Sequence, residues 1–115
     1  MKLPRIADMH AGEWQEHPRF AGITMKGVLT SADNPYASAN VVQVPPGGVI
    51  GRHRHEQQIE TVWIIRGDAV LTLDQTDVPM RAGQIVAIPI GLEHALRNDS
   101  ETMVELLTFF TPPLR

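Results

Sequence analysis

The 115 residues contain no cysteine, which excludes disulfides, thiolate metal sites and cysteine nucleophiles. Aromatic residues are scarce at 5%. No apolar run approaches the roughly 20 residues that a helical bilayer span requires. The stretch MKLPRIADMHAGEW lacks the continuous apolar core of a signal peptide, so a cytoplasmic protein is the expectation. Basic excess is missing too. The net charge is −3, with acids and bases interspersed, so nothing marks a nucleic-acid footprint. Helical periodicity is absent from every window of useful length.

What remains is 43% apolar residues and 20% charged, the balance of an ordinary globular domain. Residues 1–19 mix Pro4, Gly12 and Pro18 with the isolated apolar groups Leu3, Ile6 and Trp14. They read as an irregular arm that packs on the domain or on a partner, leaving 20–115 as one β domain. From Phe20 onward, short apolar or alternating runs are broken every eight to twelve positions by turn residues. Strands are expected near 22–29, 38–44, 49–54, 58–66, 69–74, 84–88, 93–98 and 102–110. Eight short strands with Pro/Gly turns predict an all-β sandwich or barrel.

Within 58–66, Gln58, Glu60, Val62 and Ile64 share one side, and Ile59, Thr61, Trp63 and Ile65 the other. Both sides are largely apolar, as they are in 102–110. In so small a chain, strands covered on both faces predict more protein outside. A homodimer with Trp63 near its interface is the simplest supply.

His53 and His55 are two apart, so on a strand their imidazoles share a face about 6.6 Å apart. Residues 47–67 spell G-x5-H-x-H-x4-E-x6-G, as Gly47, His53, His55, Glu60 and Gly67. Residues 83–98 spell G-x5-P-x-G-x2-H-x3-N, as Gly83, Pro89, Gly91, His94 and Asn98. In both motifs the sequence resembles a cupin, with no departure at a defining position. The short intermotif stretch, 68–82, is similar to that of small bacterial single-domain members. The resemblance covers about 20–110 and implies a single-domain β-barrel of the jelly-roll, or double-stranded β-helix, kind. Carried over residue by residue, it makes His53, His55, Glu60 and His94 ligands of one divalent transition metal per chain.

The donor chemistry agrees. Three histidines and a carboxylate suit Fe, Mn, Ni, Cu or Zn and exclude a sulfur-preferring site. Four protein ligands leave two adjacent positions of a six-coordinate ion for water, a bidentate substrate or dioxygen. Gly47, Gly67, Gly83 and Gly91 read as turns with positive φ, Pro89 as the turn presenting His94, and Asn98 as closing the turn before the last strand. Gln58 shares the face of Glu60 and is a candidate to orient it. Met25, Tyr36 and Phe109 are candidates for pocket wall. In the strand at 38–44 either Asn40 and Val42 or Val41 and Gln43 face inward. His10 and His17 lie outside the motifs and read as surface residues, and Arg52 and Arg54 should point away from the site.

Two functions follow. The intact ligand quartet favours a small metalloenzyme acting on an oxygen-rich organic substrate, of dioxygenase, decarboxylase or isomerase type. The alternative is a non-catalytic small-ligand-binding or sensor protein.

Overall fold

The computed structural model describes residues 3–115 and contains ten strands and, among the described residues, no helix. None of it, therefore, is a helix long and apolar enough to cross a membrane. The strands are β1 (Gln15–Glu16), β2 (Thr24–Leu29), β3 (Ser38–Val44), β4 (Val49–His53), β5 (Ile59–Arg66), β6 (Asp68–Leu73), β7 (Thr76–Arg81), β8 (Ile85–Ile88), β9 (His94–Arg97) and β10 (Val104–Thr111). They form a six-stranded sheet, β1-β2-β3-β10-β5-β8, and a four-stranded sheet, β4-β9-β6-β7. Every pairing is antiparallel. The expected strands are present with shifts of one or two residues at their ends.

Two strands escaped the sequence reading. β7 runs through Asp77 and Pro79, which look like turn chemistry. It pairs only with β6 at the rim of the smaller sheet, where a proline costs no shared hydrogen bond. β1 lies inside the expected arm, with Gln15 opposite Met25 and Glu16 opposite Thr24. The end of the arm therefore joins the larger sheet.

The core fills the space between the sheets. Ile64, Val104, Val42 and Leu106 face Ala69, Leu71 and Leu96 across it. β5 alternates as its sequence predicts: Glu60, Val62 and Ile64 are buried, while Ile59 and Trp63 are exposed. β3 presents Asn40 and Val42 to the interior cavity, and Val41 to the outer face, which resolves its phase. On that outer face Ala39, Val41 and Leu107 are covered by Met9, Trp14, Ile65 and Phe109. The double burial of β3 and β10 is thus met largely by the chain's own arm. Arg5 Nε donates to Asp33 Oδ1 at 3.0 Å, and His10 Nε2 lies 2.8 Å from the buried Glu105, fastening the arm. Leu3 and Ile6 of the arm stay exposed.

The motif glycines all have positive φ, from +79° to +91°. Gly67 shows the need most clearly. A Cβ there would sit 2.6 Å from the Met103 carbonyl oxygen and 3.0 Å from Val104 Cα, so the turn into β6 can lie against the start of β10 only without a side chain.

Candidate metal centre

The centre is assembled from three places. His94 opens β9, Glu60 is the second residue of β5, and His53 ends β4. The expected strand through 54 stops one residue early, so His55 lies in the following loop rather than beside His53 on a strand. Its carbonyl accepts from Gly91 N at 2.9 Å. That bond ties the turn of the second motif to the histidine loop of the first. β4 also carries a register shift between Ile50 and His53: Ile50 pairs with Leu96, and His53 with His94. Three residues on β4 span two on β9, which is a β-bulge. The bulge lets both Ile50 and His53 face the cavity, which unbroken alternation would forbid. Arg52 points the other way, donating to the Asp74 carbonyl at 2.7 Å.

The donor atoms of His53, His55, Glu60 and His94 all lie within 4.8 Å of one another. Two metal–donor bonds of about 2.0–2.2 Å placed end to end span a comparable distance. His53 Nδ1 lies 2.7 Å from the Gly51 carbonyl and His94 Nδ1 lies 2.9 Å from that of Leu92. A carbonyl can only accept, so both Nδ1 atoms carry a proton and each ring turns its Nε2 inward, where it is a free donor to a metal once that atom carries no proton. Glu60 Oε1 is 2.9 Å from His94 Nε2 and 3.2 Å from His55 Nε2. Its Oε2 accepts from Thr108 Oγ1 at 2.6 Å.

Burial acts to raise the Glu60 pKa, but His55, His94 and Thr108 together outweigh it and hold the carboxylate well below its usual range. Burial likewise opposes charge on His94, yet the facing Glu60 and the Leu92 carbonyl leave its pKa raised. At His53 burial wins, with His94 adding repulsion, and the pKa falls despite the Gly51 carbonyl.

One atom tests whether a cation fits. His55 Nε2 is buried and has no hydrogen-bond partner; its approach to Glu60 is off the angle a hydrogen bond needs. Buried polar atoms are rarely left so. A buried nitrogen close to a carboxylate and two further imidazole nitrogens is what a divalent cation would satisfy. The cluster could therefore bind a metal ion.

A cavity of about 180 Å³ adjoins the four residues, walled by Met25, Val42, Ile50, Val62, Leu71 and Phe110 among others. Met25 is pocket wall as expected, but Tyr36 is 79% exposed and Phe109 packs on the outer face. Phe110, one residue on, takes the inward place, with its ring 5.0 Å from that of His55. Gln58 does not line the cavity. The hydrogen bond to Glu60 that the sequence suggested for it comes instead from Thr108, a polar residue on an otherwise apolar inner face of β10. Asn98 closes its turn as expected: fully buried, it donates to the Val44 and Thr102 carbonyls at 2.9 and 2.7 Å. His17 is not simply a surface residue. It lines the cavity and stacks on Phe20, which in turn reaches His53.

The family model for the Cupin domain matches residues 40–110. The chain belongs to the cupin family. Among curated proteins, this cupin is 33% identical over 103 residues to an oxalate-binding protein of Thermotoga maritima, covering 90% of this chain and 81% of the relative. It is 29% identical over 91 residues to the HTH-type transcriptional regulator PuuR of Escherichia coli, covering 79% of this chain and 49% of that longer protein. Two solved structures share the fold, each with a TM-score of 0.84. KdgF from Halomonas sp. is 21% identical, covering 96% of this cupin and 94% of that chain. A predicted oxalate decarboxylase from Thermotoga maritima is 23% identical, covering 94% and 99%.

Proposed function

We propose that this cupin is a small metalloenzyme in which His53, His55, Glu60 and His94 hold one divalent transition metal facing the cavity. The observation that carries the reading is the buried, unpartnered Nε2 of His55 beside two imidazoles whose Nδ1 protons are already committed to carbonyls. When bound, the metal would supply Lewis acidity toward an oxygen-rich organic substrate. The chain's own contributions are separable from it. Thr108 orients Glu60, Phe110 and the aliphatic wall limit water, and the cavity sets substrate size. At about 180 Å³ it falls below the roughly 300–1,000 Å³ of pockets for drug-sized ligands, which points to a substrate of few atoms.

Oxidative cleavage, decarboxylation and isomerisation are the reactions to screen. Metal-loaded protein is to be assayed aerobically and anaerobically with small acids and sugars. Substrate loss at more than the rate of the metal in solution supports the enzyme. Tight binding with no turnover of any bound compound would replace it with a binding or sensor function. That second reading draws support from relatives described as an oxalate-binding protein and a transcriptional regulator. The proposal includes a homodimer, since Trp63, Ile59 and Ile85 leave an apolar area on the outer face of β5 and β8 that the arm does not cover.

A further inference from the structure

The mouth of the cavity is built from two segments that neither motif contains, residues 17–20 and residues 114–115. Both are fixed by the backbone. His17 N donates to the Ile23 carbonyl at 2.7 Å, and Ser31 N donates to the Arg115 carbonyl at 2.9 Å. Leu114 N donates to Ser38 Oγ at 2.9 Å. These bonds set Arg19 and Arg115 at the rim. The Arg19 guanidinium lies 5.3 Å from the centre of the Phe20 ring, and Phe20 stands between it and His53.

The charge around this mouth is unbalanced. Arg5, Arg52, Arg54, Arg66 and Arg97 each have a carboxylate partner. Among the described residues, Arg19, Arg81 and Arg115 form no such ion pair, and of these three Arg19 and Arg115 line the cavity. Glu60 is the one acid lining the cavity, and its oxygens are hydrogen-bonded with His94 and Thr108 and lie 3.2 Å from His55 Nε2. His17 lies near both: burial, then Arg115, then Arg19 lower its pKa, against Glu60, which raises it. Two guanidinium forks lining a small, mostly apolar cavity suit a planar oxyanion, and their charge favours an anion there.

We infer that the pocket takes a small organic acid with a carboxylate at the end remote from the histidines, and that Arg19 and Arg115 receive that carboxylate. The inference rests on the proposed site being the ligand pocket. It specifies the substrate class there, and makes the two arginines determinants of specificity.

Calorimetric titration with succinate, succinamide and inorganic phosphate tests it, on wild type and on the Arg19→Gln/Arg115→Gln variant, each metal-free and Mn(II)-loaded. Succinate should bind wild type at least tenfold more tightly than either the neutral diamide or phosphate, which has no carbon body to fill the cavity. The double variant should lose at least tenfold for succinate in both metal states, and Arg19→Lys/Arg115→Lys should recover part of that loss. Equal succinate binding by wild type and the Gln variant would overturn the inference. So would phosphate or succinamide binding as tightly as succinate, or no succinate binding by wild type in either state. Failure of Mn(II) and of every other divalent first-row metal to bind, with the arginine effect intact in metal-free protein, would overturn the metal reading alone.

Discussion

Thr108 Oγ1 donates a 2.6 Å hydrogen bond to Glu60 Oε2, which leaves Oε1 of the same carboxylate to face His94 and His55. The two residues come from adjacent strands, β10 and β5, so the sheet itself sets the carboxylate's orientation. Thr108→Val keeps the β-branched shape and removes the donor. Metal affinity is expected to fall by about 10–100-fold, the usual scale for losing a group that orients a ligand. Competitive chelator titration reads the loss, and unchanged affinity would assign the orientation of Glu60 to the histidines alone.

Gly67 and Gly83 share a positive φ, +88° and +91°, but differ in space. A Cβ at Gly83 meets nothing within 4 Å, whereas at Gly67 it meets backbone atoms of Met103 and Val104. Gly83→Ala should cost about 1 kcal/mol, from the left-handed conformation alone. Gly67→Ala adds an overlap that rigid backbone must absorb, for a total of about 3 kcal/mol. Denaturant unfolding of both variants checks the difference; equal costs would mean that the turn before β6 can move away.

Acid should release the arm. The hydrogen bonds from Arg5 and from the Thr30 backbone hold the Asp33 pKa well below its ordinary value. At Glu105 burial pushes upward, but Gln43, His10 and Arg66 prevail and the pKa is lowered. A carboxylate lowered in the folded state contributes stability that is present above its unfolded pKa, about 4. That contribution is lost as pH falls through the folded value. Between about pH 4 and the lowered values, the fastening of Arg5 and His10 should weaken. Hydrogen exchange on residues 5–16, measured against β5 and β10, should then rise at acid pH. Exchange in the arm that stays constant down to acid unfolding of the whole chain would show that Trp14 packing suffices.

Much of this was legible in the chain because its signals were local. Turn residues set the strand boundaries, alternation in β5 placed Glu60 inside and Trp63 outside, and motif spacing singled out the four residues that the fold gathers. The rest depended on tertiary detail. The β4 bulge breaks the two-residue alternation between Ile50 and His53, and no residue type announces it. β7 was hidden because Asp77 and Pro79 are tolerated at a sheet rim. Thr108 outcompetes Gln58 for Glu60 through the pairing of β10 with β5, a relation between residues far apart in sequence. Arg19 and Arg115 both line the cavity because the segments flanking the motifs fold against it.

The outer face of β5 and β8 makes a prediction about assembly. Trp63 pairs with Ile85 across these strands, and they are 42% and 61% exposed, with Ile59 at 39%. Exposed apolar residues grouped on one sheet face are a common feature of protein interfaces, and a two-fold dimer needs only one self-complementary patch. Sedimentation equilibrium at micromolar concentration should give a dimer, and Ile85→Glu a folded monomer. A monomeric wild type would show that this face remains in water.

Metal content is the most direct test of the central claim. Protein purified without added metal, then equilibrated with Mn(II) and desalted, should carry about one equivalent per chain by elemental analysis. The His53→Ala/His55→Ala/His94→Ala variant should carry essentially none while retaining the β-sheet circular dichroism of the parent. Full occupancy in that folded triple variant, or none in the wild type with any divalent first-row metal, would contradict the account.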